Sequence, residues 1–370
     1  MKNDDERDKM IIGQGALLAN KQYDIVVIGA GPAGSMTAYK LAGYFKVLVV
    51  EACSLPHSKS CSGVLIKKSV DIIEKHFGKI PDDVKCRPYT TSGITIVDEA
   101  MVPQHFPDNG ANISRDKFDY WLVQNVIQAG ADLIDNTRVV KIEESDNGVI
   151  LTVKAKHKSV YEINAGIAIA CDGINGTSRT LTNTPEQDRV ITYQKFYDAE
   201  ASIDKSKFYA YISKDFSEYD AWINTKNDSI VIGTIAKTLT KSKHLHNQFV
   251  SFLKKEIHLE IIREIRDEAW CIPLVIPDFP IVLRNKRVFF AGEAAGFLNP
   301  FGEGISIALA SGLCLSAACV KQKTVDLTDC KEIERTYRSG MSNEIEHMKR
   351  QWDFLKRHYP HFWDNSLQSD

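Results

Sequence analysis

The sequence has almost no net charge. Its 46 lysines and arginines nearly balance 48 aspartates and glutamates, leaving −2. A chain this neutral has no strong field to gather nucleic acid or anionic lipid. Paired cysteines are missing as well: the eight, at 53, 61, 86, 171, 271, 314, 319 and 330, form no CxxC unit. Met1–Asn20 lacks the long apolar core of a secretory signal. These features read as reduced thiols of a cytoplasmic protein. No His/Cys cluster shows ligand spacing, so no metal is expected. Long hydrophobic runs are absent too. The longest weakly polar stretch, Gly304–Val320, carries three serines and a second glycine. It is slightly short for a membrane span and reads as a helix packed on a sheet. There is no internal repeat and no low-complexity tract. A composition of 44% hydrophobic and 25% charged residues is that of a folded globular chain. A length of 370 residues leaves room for two or three domains.

What is present is concentrated first in Tyr23–Glu51. Ile25–Ile28 reads as a buried strand. Gly29, Gly31 and Gly34 fit G-x-G-x-x-G, and a helix is expected from about Pro32 to Ala42. Val47–Val50 is a second apolar strand, and Glu51 ends it 22 residues after Gly29. This is the βαβ pattern of a dinucleotide site. Gly29 permits the tight turn, Gly31 leaves room for a pyrophosphate, and Gly34 lets helix and strand pack closely. The helix start offers unpaired N–H groups to phosphate, and Glu51 can accept from ribose hydroxyls. No second fingerprint appears: Gly13-Gln14-Gly15 lacks a preceding strand and a third glycine.

Beyond Glu51, residues 52–65 form a loop, with a helix expected over Ile66–Phe77. Cys61 sits late in this loop, either beside a bound ligand or as a small residue filling a turn. Strands are expected at Gly93–Val97 and Met101–Phe106. Ser114 is a suitable N-cap for a helix whose inner face is Phe118, Leu122, Val126 and Ala129. Arg115 stands at that helix start, where the macrodipole disfavours a cation. It marks either an external anion or a solvated surface arginine. Asp132–Glu143 and Val149–Lys154 read as strands around an Asp146-Asn147-Gly148 turn. The buried strand Ile167–Cys171 runs into Asp172-Gly173, and such a strand end is where α/β sheets bind ligands. From Ile191 to Ala236 the pattern becomes an antiparallel sheet with an Asn227-Asp228 turn. Its aromatics Tyr193, Phe196, Tyr209, Tyr211, Tyr219 and Trp222 either line an apolar pocket or fill the core. Lys241–Arg266 reads as one amphipathic helical stretch. Val288–Ala291 enters Gly292-Glu293-Ala294-Ala295, and Gly302-Glu303-Gly304 opens another helix. The polar, helical tail includes Trp352, Phe354, Leu355, Phe362 and Trp363. It is suited to capping the fold or meeting a partner.

Taken together, these pieces resemble the geranylgeranyl reductase family of FAD-dependent oxidoreductases, within the class built like para-hydroxybenzoate hydroxylase. The resemblance rests on Gly29, Gly31, Gly34 and Glu51; on Arg115, Phe118, Asp119, Trp121 and Leu122; on Asp172, Gly173 and Arg179; and on Gly292–Ala295 with Pro300, Gly302 and Gly304. Lys59, Cys61 and Gly63 are similar to the reductases' cysteine loop. Three departures stand out: Glu293 replaces an aspartate, Ser62 replaces a glycine, and Tyr219 and Trp222 lie three apart rather than two.

The resemblance implies a doubly wound Rossmann-type α/β FAD-binding domain with an inserted antiparallel-sheet substrate domain and C-terminal helices. The expected division is a lead-in at 1–22, FAD-binding segments at 23–85, 108–185 and 270–322, sheet segments at 86–107 and 186–269, and a helical tail from 323. FAD contacts are implied for Gly29, Ala30, Gly31, Pro32, Ala33, Gly34, Glu51, Ala52, Cys61, Gly63, Arg115, Val139, Asp172, Gly173, Gly292, Glu293, Gly302, Gly304 and Ile305. Catalytic or pocket-lining roles are implied for Cys61, Tyr219 and Trp222. The implied reaction is hydride transfer from reduced flavin to a carbon–carbon double bond of an apolar, prenyl-type substrate. With one fingerprint only, the reductant is an external donor, NAD(P)H or a redox protein, and peripheral membrane contact fits such a substrate. A flavin monooxygenase or halogenase shares this fold, and a flavin- or lipid-binding protein without turnover is the third reading.

Overall fold

The computed structural model describes residues 21–145, 147–156, 159–274, 280–322, 327 and 329–359. The chain begins β1 (Gln22–Ile28), α1 (Pro32–Leu41), β2 (Val47–Val50), β3 (Val64–Leu65), α2 (Lys67–Phe77), β4 (Lys85–Val97), β5 (Pro103–Ile113) and α3 (Arg115–Gln128). It continues β6 (Asp132–Ile134), β7 (Thr137–Ser145), β8 (Gly148–Ala155), β9 (Val160–Ala170), α4 (Ser178–Leu181), β10 (Arg189–Glu200), β11 (Lys207–Tyr211), β12 (Ala221–Lys226) and β13 (Ser229–Ala236). Then come α5 (Leu239–Glu256), β14 (Glu260–Pro273), β15 (Arg284–Asn285), β16 (Val288–Phe290), α6 (Ile305–Lys321), α7 (Cys330–Gly340) and α8 (Ser342–His358).

Contacts divide the chain into two units. The first lies within 1–57, 119–187 and 275–347, and the second within 58–118, 188–274 and 348–370. This division by contacts differs from the expected one, and residues 270–274 fall in the second unit. Residues 58–85 and 108–118 belong with the second unit, because β3 pairs with β5 (Val64↔Asn112, Leu65↔Ala111). The helical tail is shared between the units: Tyr337 of α7 donates to the Phe290 carbonyl at 3.1 Å in the first, while Leu355 packs with Ile96 and Ile212 in the second. Residues 1–20 of the lead-in, Asp146 of the expected hairpin turn, and Phe362 and Trp363 of the tail lie outside the described residues.

The first unit is built on the sheet β15-β16-β9-β1-β2-β6, extended through β9 by β8 and β7. β1 runs parallel to β2 on one side and to β9 on the other, and β9 runs parallel to β16. Val47–Val50 and Val288–Phe290 are buried throughout, as expected where helices cover both faces. Because β1 has neighbours on both sides that the chain reaches in different directions, its carboxyl end is a switch point of the sheet. α6 packs against α1 at close range. A Cβ on Gly312 would lie 2.6 Å from the Ala33 carbonyl oxygen. Among the described residues no helix is long and apolar enough to cross a membrane.

The second unit is the sheet β14-β10-β13-β12-β11-β4-β5-β3. Its pairs are antiparallel except β11 with β4. One face of this sheet buries Tyr197, Tyr211, Ala221, Ile223 and Ile232 against Phe249 and Leu253 of α5. The expected single helical stretch over 241–266 is two elements. α5 ends at Glu256, His258 takes a left-handed φ of 52°, and β14 then pairs with β10 along twelve positions. Cross-strand hydrogen bonding and β-branched Ile261, Ile262 and Ile265 outweigh the helical periodicity there.

Candidate active site

Three turns meet at the carboxyl ends of the parallel strands in the first unit. Gly29 follows β1 with φ 98°, and a Cβ there would lie 2.6 Å from the Cys171 carbonyl oxygen at the end of β9. Gly34 packs so tightly on the turn that a Cβ would overlap the Gly29 carbonyl at 1.9 Å. Gly292, just past β16, has φ 61°, and its Cβ would come 2.9 Å from that of Ala33. Gly31 differs from these: a Cβ there meets nothing within 4 Å. Gly31 is the N-cap of α1, Pro32 follows, and no side chain caps the helix. The sequence has therefore left a helix N-terminus bare beside open space, with unpaired N–H donors and the positive end of the macrodipole.

Glu51 borders the same turn. Its carboxylate accepts from the N–H of Ala30 and of Cys53, both at 2.8 Å. His57 Nε2 approaches at 3.5 Å. Burial works to raise the carboxyl, but His57 and the two backbone donors outweigh it and hold it below its usual range. In return, the Glu51 hydrogen bond raises His57. Donor atoms of Glu51, Cys53 and His57 lie within 4.8 Å of one another. Spacing along the sequence did not bring these three side chains together. The carboxylate is nevertheless committed to the turn, since each of its oxygens already accepts a backbone N–H.

Asp172 follows β9, and its side chain is engaged locally. Its carboxylate accepts from the Ser178 N–H at 3.0 Å and the Ser178 hydroxyl at 2.8 Å, fastening α4. Burial raises it, against the pull of Ser178. Gly173 follows with φ 65°, and the Val139 carbonyl accepts from Thr177 at 3.1 Å. The Glu293 carboxylate reaches toward both Gly173 and Gly304: Cβ atoms there would lie 3.3 and 3.6 Å from its oxygens. Gly304 is the N-cap of α6 and Ile305 its first residue. Glu303 partly fills that helix end by accepting from the Ser306 N–H at 2.8 Å and its hydroxyl at 2.6 Å. Gly302, with φ 71°, faces open space.

In the second unit, the sheet face opposite α5 carries a different set. Along β12 the alternation sends Ala221 and Ile223 into the core and leaves Trp222, Asn224 and Lys226 on the other side. The loop Lys59–Gly63 lies on that face. Gln194 donates to the Cys61 carbonyl at 3.4 Å and Asn224 to the Ser62 carbonyl at 3.4 Å. The Lys59 ammonium stands 5.9 Å from the Trp270 ring. Trp222 lies flat against Gly233, where a Cβ would sit 2.0 Å from the indole. Cys61 is half-buried, and its Sγ accepts from the Gly63 N–H at 3.3 Å. Gly63 has φ 67°, and a Cβ there would strike the Lys226 ammonium at 2.0 Å and the Ile113 carbonyl at 2.4 Å. Glycine at that position is thus already required by the fold. Arg115 is 7% exposed, which removes the solvated-surface reading. Tyr219 and Trp222 are both buried, while Tyr211 and Tyr197 face α5 and serve the core. Desolvation pushes Asp220, next to Tyr219, up to about 6.

The FAD binding domain family matches residues 22–253. The chain belongs to that family. It is a flavoprotein. Among relatives, an uncharacterized protein of Methanosarcina barkeri, Mbar_A1602, is 27% identical over 87% of this chain and 80% of its own. The fold is that of a geranylgeranyl bacteriochlorophyll reductase-like protein from Thermoplasma acidophilum, with TM-score 0.77, 17% identity and coverage of 91% and 87% of the two chains. It is equally that of the flavin-dependent brominase Bmp2, with TM-score 0.71, 16% identity and coverage of 94% and 90%.

The first unit of this flavoprotein fits FAD by its own geometry, through the uncapped α1 start, the open space at Gly31 and the carboxylate at Glu51. Reading the sequence missed His57, Gln194, Asn224, Lys226 and Asp220. The period-2 pattern of Trp222, Asn224 and Lys226 was visible. Beside the Asn227-Asp228 turn, though, a lysine reads as an exposed strand end, and only the overlying loop buries it.

Proposed function

We propose that this flavoprotein reduces carbon–carbon double bonds of a prenyl-type lipid. The observation that carries the reading is the seating of Cys61, in a loop laid on the Trp222–Asn224–Lys226 face of the substrate sheet. FAD, when bound and reduced, supplies the hydride, and an external donor, NAD(P)H or a redox protein, supplies the electrons. Under this reading the α1 start from Gly29 through Ala30, Gly31, Pro32, Ala33 and Gly34 holds the pyrophosphate. Glu51 and Ala52 hold the ribose, Val139 borders the adenine side, and Asp172, Gly173, Gly292, Glu293, Gly302, Gly304 and Ile305 complete the cradle. Cys61 gives the proton to the second carbon, and a thiol suits this role because it costs little to desolvate in an apolar pocket. Tyr219 and Trp222 border the chain being reduced.

The reductase-like neighbour from Thermoplasma supports this reading at the level of fold, and the Methanosarcina relative adds no activity of its own. The test is product analysis by mass spectrometry with a polyprenyl lipid and dithionite-reduced enzyme, comparing wild type with Cys61→Ser and Cys61→Ala. The expected result is full flavin content in all three and slower or less complete reduction in both variants. Identical rates and products in all three would return Cys61 to a turn-filling role. A hydroxylated or halogenated product in the presence of oxygen and halide would replace the reductase reading with the monooxygenase or halogenase one.

A further inference from the structure

Lys226 is an unusual side chain for a sheet interior. It is 9% exposed, and its ammonium donates to the Ile113 carbonyl at 2.5 Å. Among the described residues no carboxylate forms an ion pair with it, and after burial itself the groups that act on it electrostatically include Cys86, Cys61, Arg115 and Glu268. Arg115 adds like charge. Glu268 is already engaged, accepting from Gln194 at 2.8 Å and from Arg266 at 3.0 Å. The two thiols remain. Cys86 is closed off at 5% exposure, while Cys61 is half-buried in the loop that rests on the ammonium at Gly63. The loop is built around the cation, because only a residue without a side chain at Gly63 leaves room for it. The same floor holds further unsatisfied polarity. Gln194 Oε1, Asn224 Oδ1 and Trp222 Nε1 are buried without hydrogen-bond partners. A lone ammonium in such a place is costly, and burial lowers its affinity for its proton. An anion formed nearby offsets that cost.

We propose that Lys226 is a positioning residue for Cys61: its ammonium balances the negative charge left on the sulfur when Cys61 gives up its proton. The proposal rests on the role assigned to Cys61 above. In that step the S–H bond breaks and a C–H bond forms at one alkene carbon; FAD, bound and reduced, would supply the hydride for the other carbon and would be the group oxidised. A thiolate is left beside the ammonium. Water reaching the half-buried loop returns the proton to sulfur. Lys226 keeps its own proton throughout.

The test needs no substrate. The FAD-loaded full chain is treated with iodoacetamide from pH 6 to pH 10, and alkylation of Cys61 is followed by peptide mass spectrometry, with exposed Cys53 as the reference in the same digest. Lys226→Met keeps length and removes charge. It is expected to slow Cys61 alkylation about tenfold at pH 7 and move its profile to higher pH, because a neighbouring cation favours the thiolate. Cys53 should be unchanged. A purely structural role for Lys226 would not displace the pH profile of one thiol alone. Lys226→Gln, read in the same way, replaces the methionine variant if that protein does not retain flavin. Wild-type alkylation of Cys61 at every pH in a flavin-loaded variant would overturn the proposal. In turnover, Lys226→Met should cost nothing further when added to Cys61→Ser, whereas a full additional loss would show that the lysine acts elsewhere. If prenyl lipids are not reduced but the alkylation profile shifts, the reductase reading fails and the lysine–cysteine pair stands.

Discussion

At the scale of single residues, the glycines of the first turn separate into two kinds. Gly29 and Gly34 are held by backbone crowding, so a substitution at either damages the fold. Gly31 faces open space, so a substitution there leaves the packing of the turn intact. Gly31→Val should therefore yield a folded protein that does not retain FAD, checked by absorbance at 450 nm beside a circular dichroism spectrum. Glu51→Ala removes an acceptor that also ties down the Ala30 and Cys53 N–H groups. One charge-assisted hydrogen bond contributes roughly 1.5–3 kcal/mol, so the FAD Kd should rise about 10- to 100-fold by fluorescence titration. Full affinity in both variants would place the cofactor elsewhere. His57 is the residue no motif announced. It lies six positions past Glu51 in a polar loop, and only the folded turn brings it to 3.5 Å.

At the scale of elements, α5 on its sheet offers a measurable consequence of burial. His246 is fully buried, stacks on Tyr197 and shares a hydrogen bond with the Tyr197 hydroxyl at 2.9 Å. Desolvation, with Lys195 adding to it, pushes His246 down to about 4. The folded state thus binds its proton more weakly than the unfolded chain does. Stability from the neutral ring is complete above about pH 6.5 and is lost as pH falls toward 4. Between pH 7 and pH 5 this amounts to about 2 kcal/mol. His246→Leu should be less stable at pH 7, having orphaned the Tyr197 hydroxyl, yet lose less on acidification, read from urea unfolding at both pH values. Parallel loss in variant and wild type would assign the acid sensitivity to other groups. Asp220 works in the opposite sense. Its folded value is raised to about 6, so the penalty appears as pH rises through that value. Asp220→Asn should accordingly raise Tm at pH 8 and leave it nearly unchanged at pH 4.

At the scale of the whole molecule, two sheets with separate hydrophobic cores share one chain that crosses between them repeatedly. FAD binds the folded protein through groups the unfolded chain does not assemble. At a free concentration of 100 Kd it should add about 2.7 kcal/mol of stability, a rise of several degrees in Tm. Stripping the flavin with bromide salts and restoring it should move the melting transition reversibly. The Gly31→Val protein should melt like the stripped form. A transition insensitive to FAD in the wild type would mean that the described cradle is not where the cofactor's binding energy is realised.

The sequence alone determined the cofactor. A bare helix start, a turn that tolerates no side chain and an acidic strand end are local features, set by residues within 30 positions of one another, so their spacing reports their geometry. It also determined the βαβ core and the alternation of the second sheet, because hydrophobic period follows strand and helix geometry directly. The tertiary structure decided what depended on distant segments meeting. Residues 260–266 became strand because β10 was there to pair with them. The cysteine loop joined the second sheet because β3 found β5. Lys226, which looks like an exposed strand end in the sequence, became a buried cation because a loop more than 160 residues earlier folds over it. Burial is a property of what covers a residue, and no local pattern encodes that.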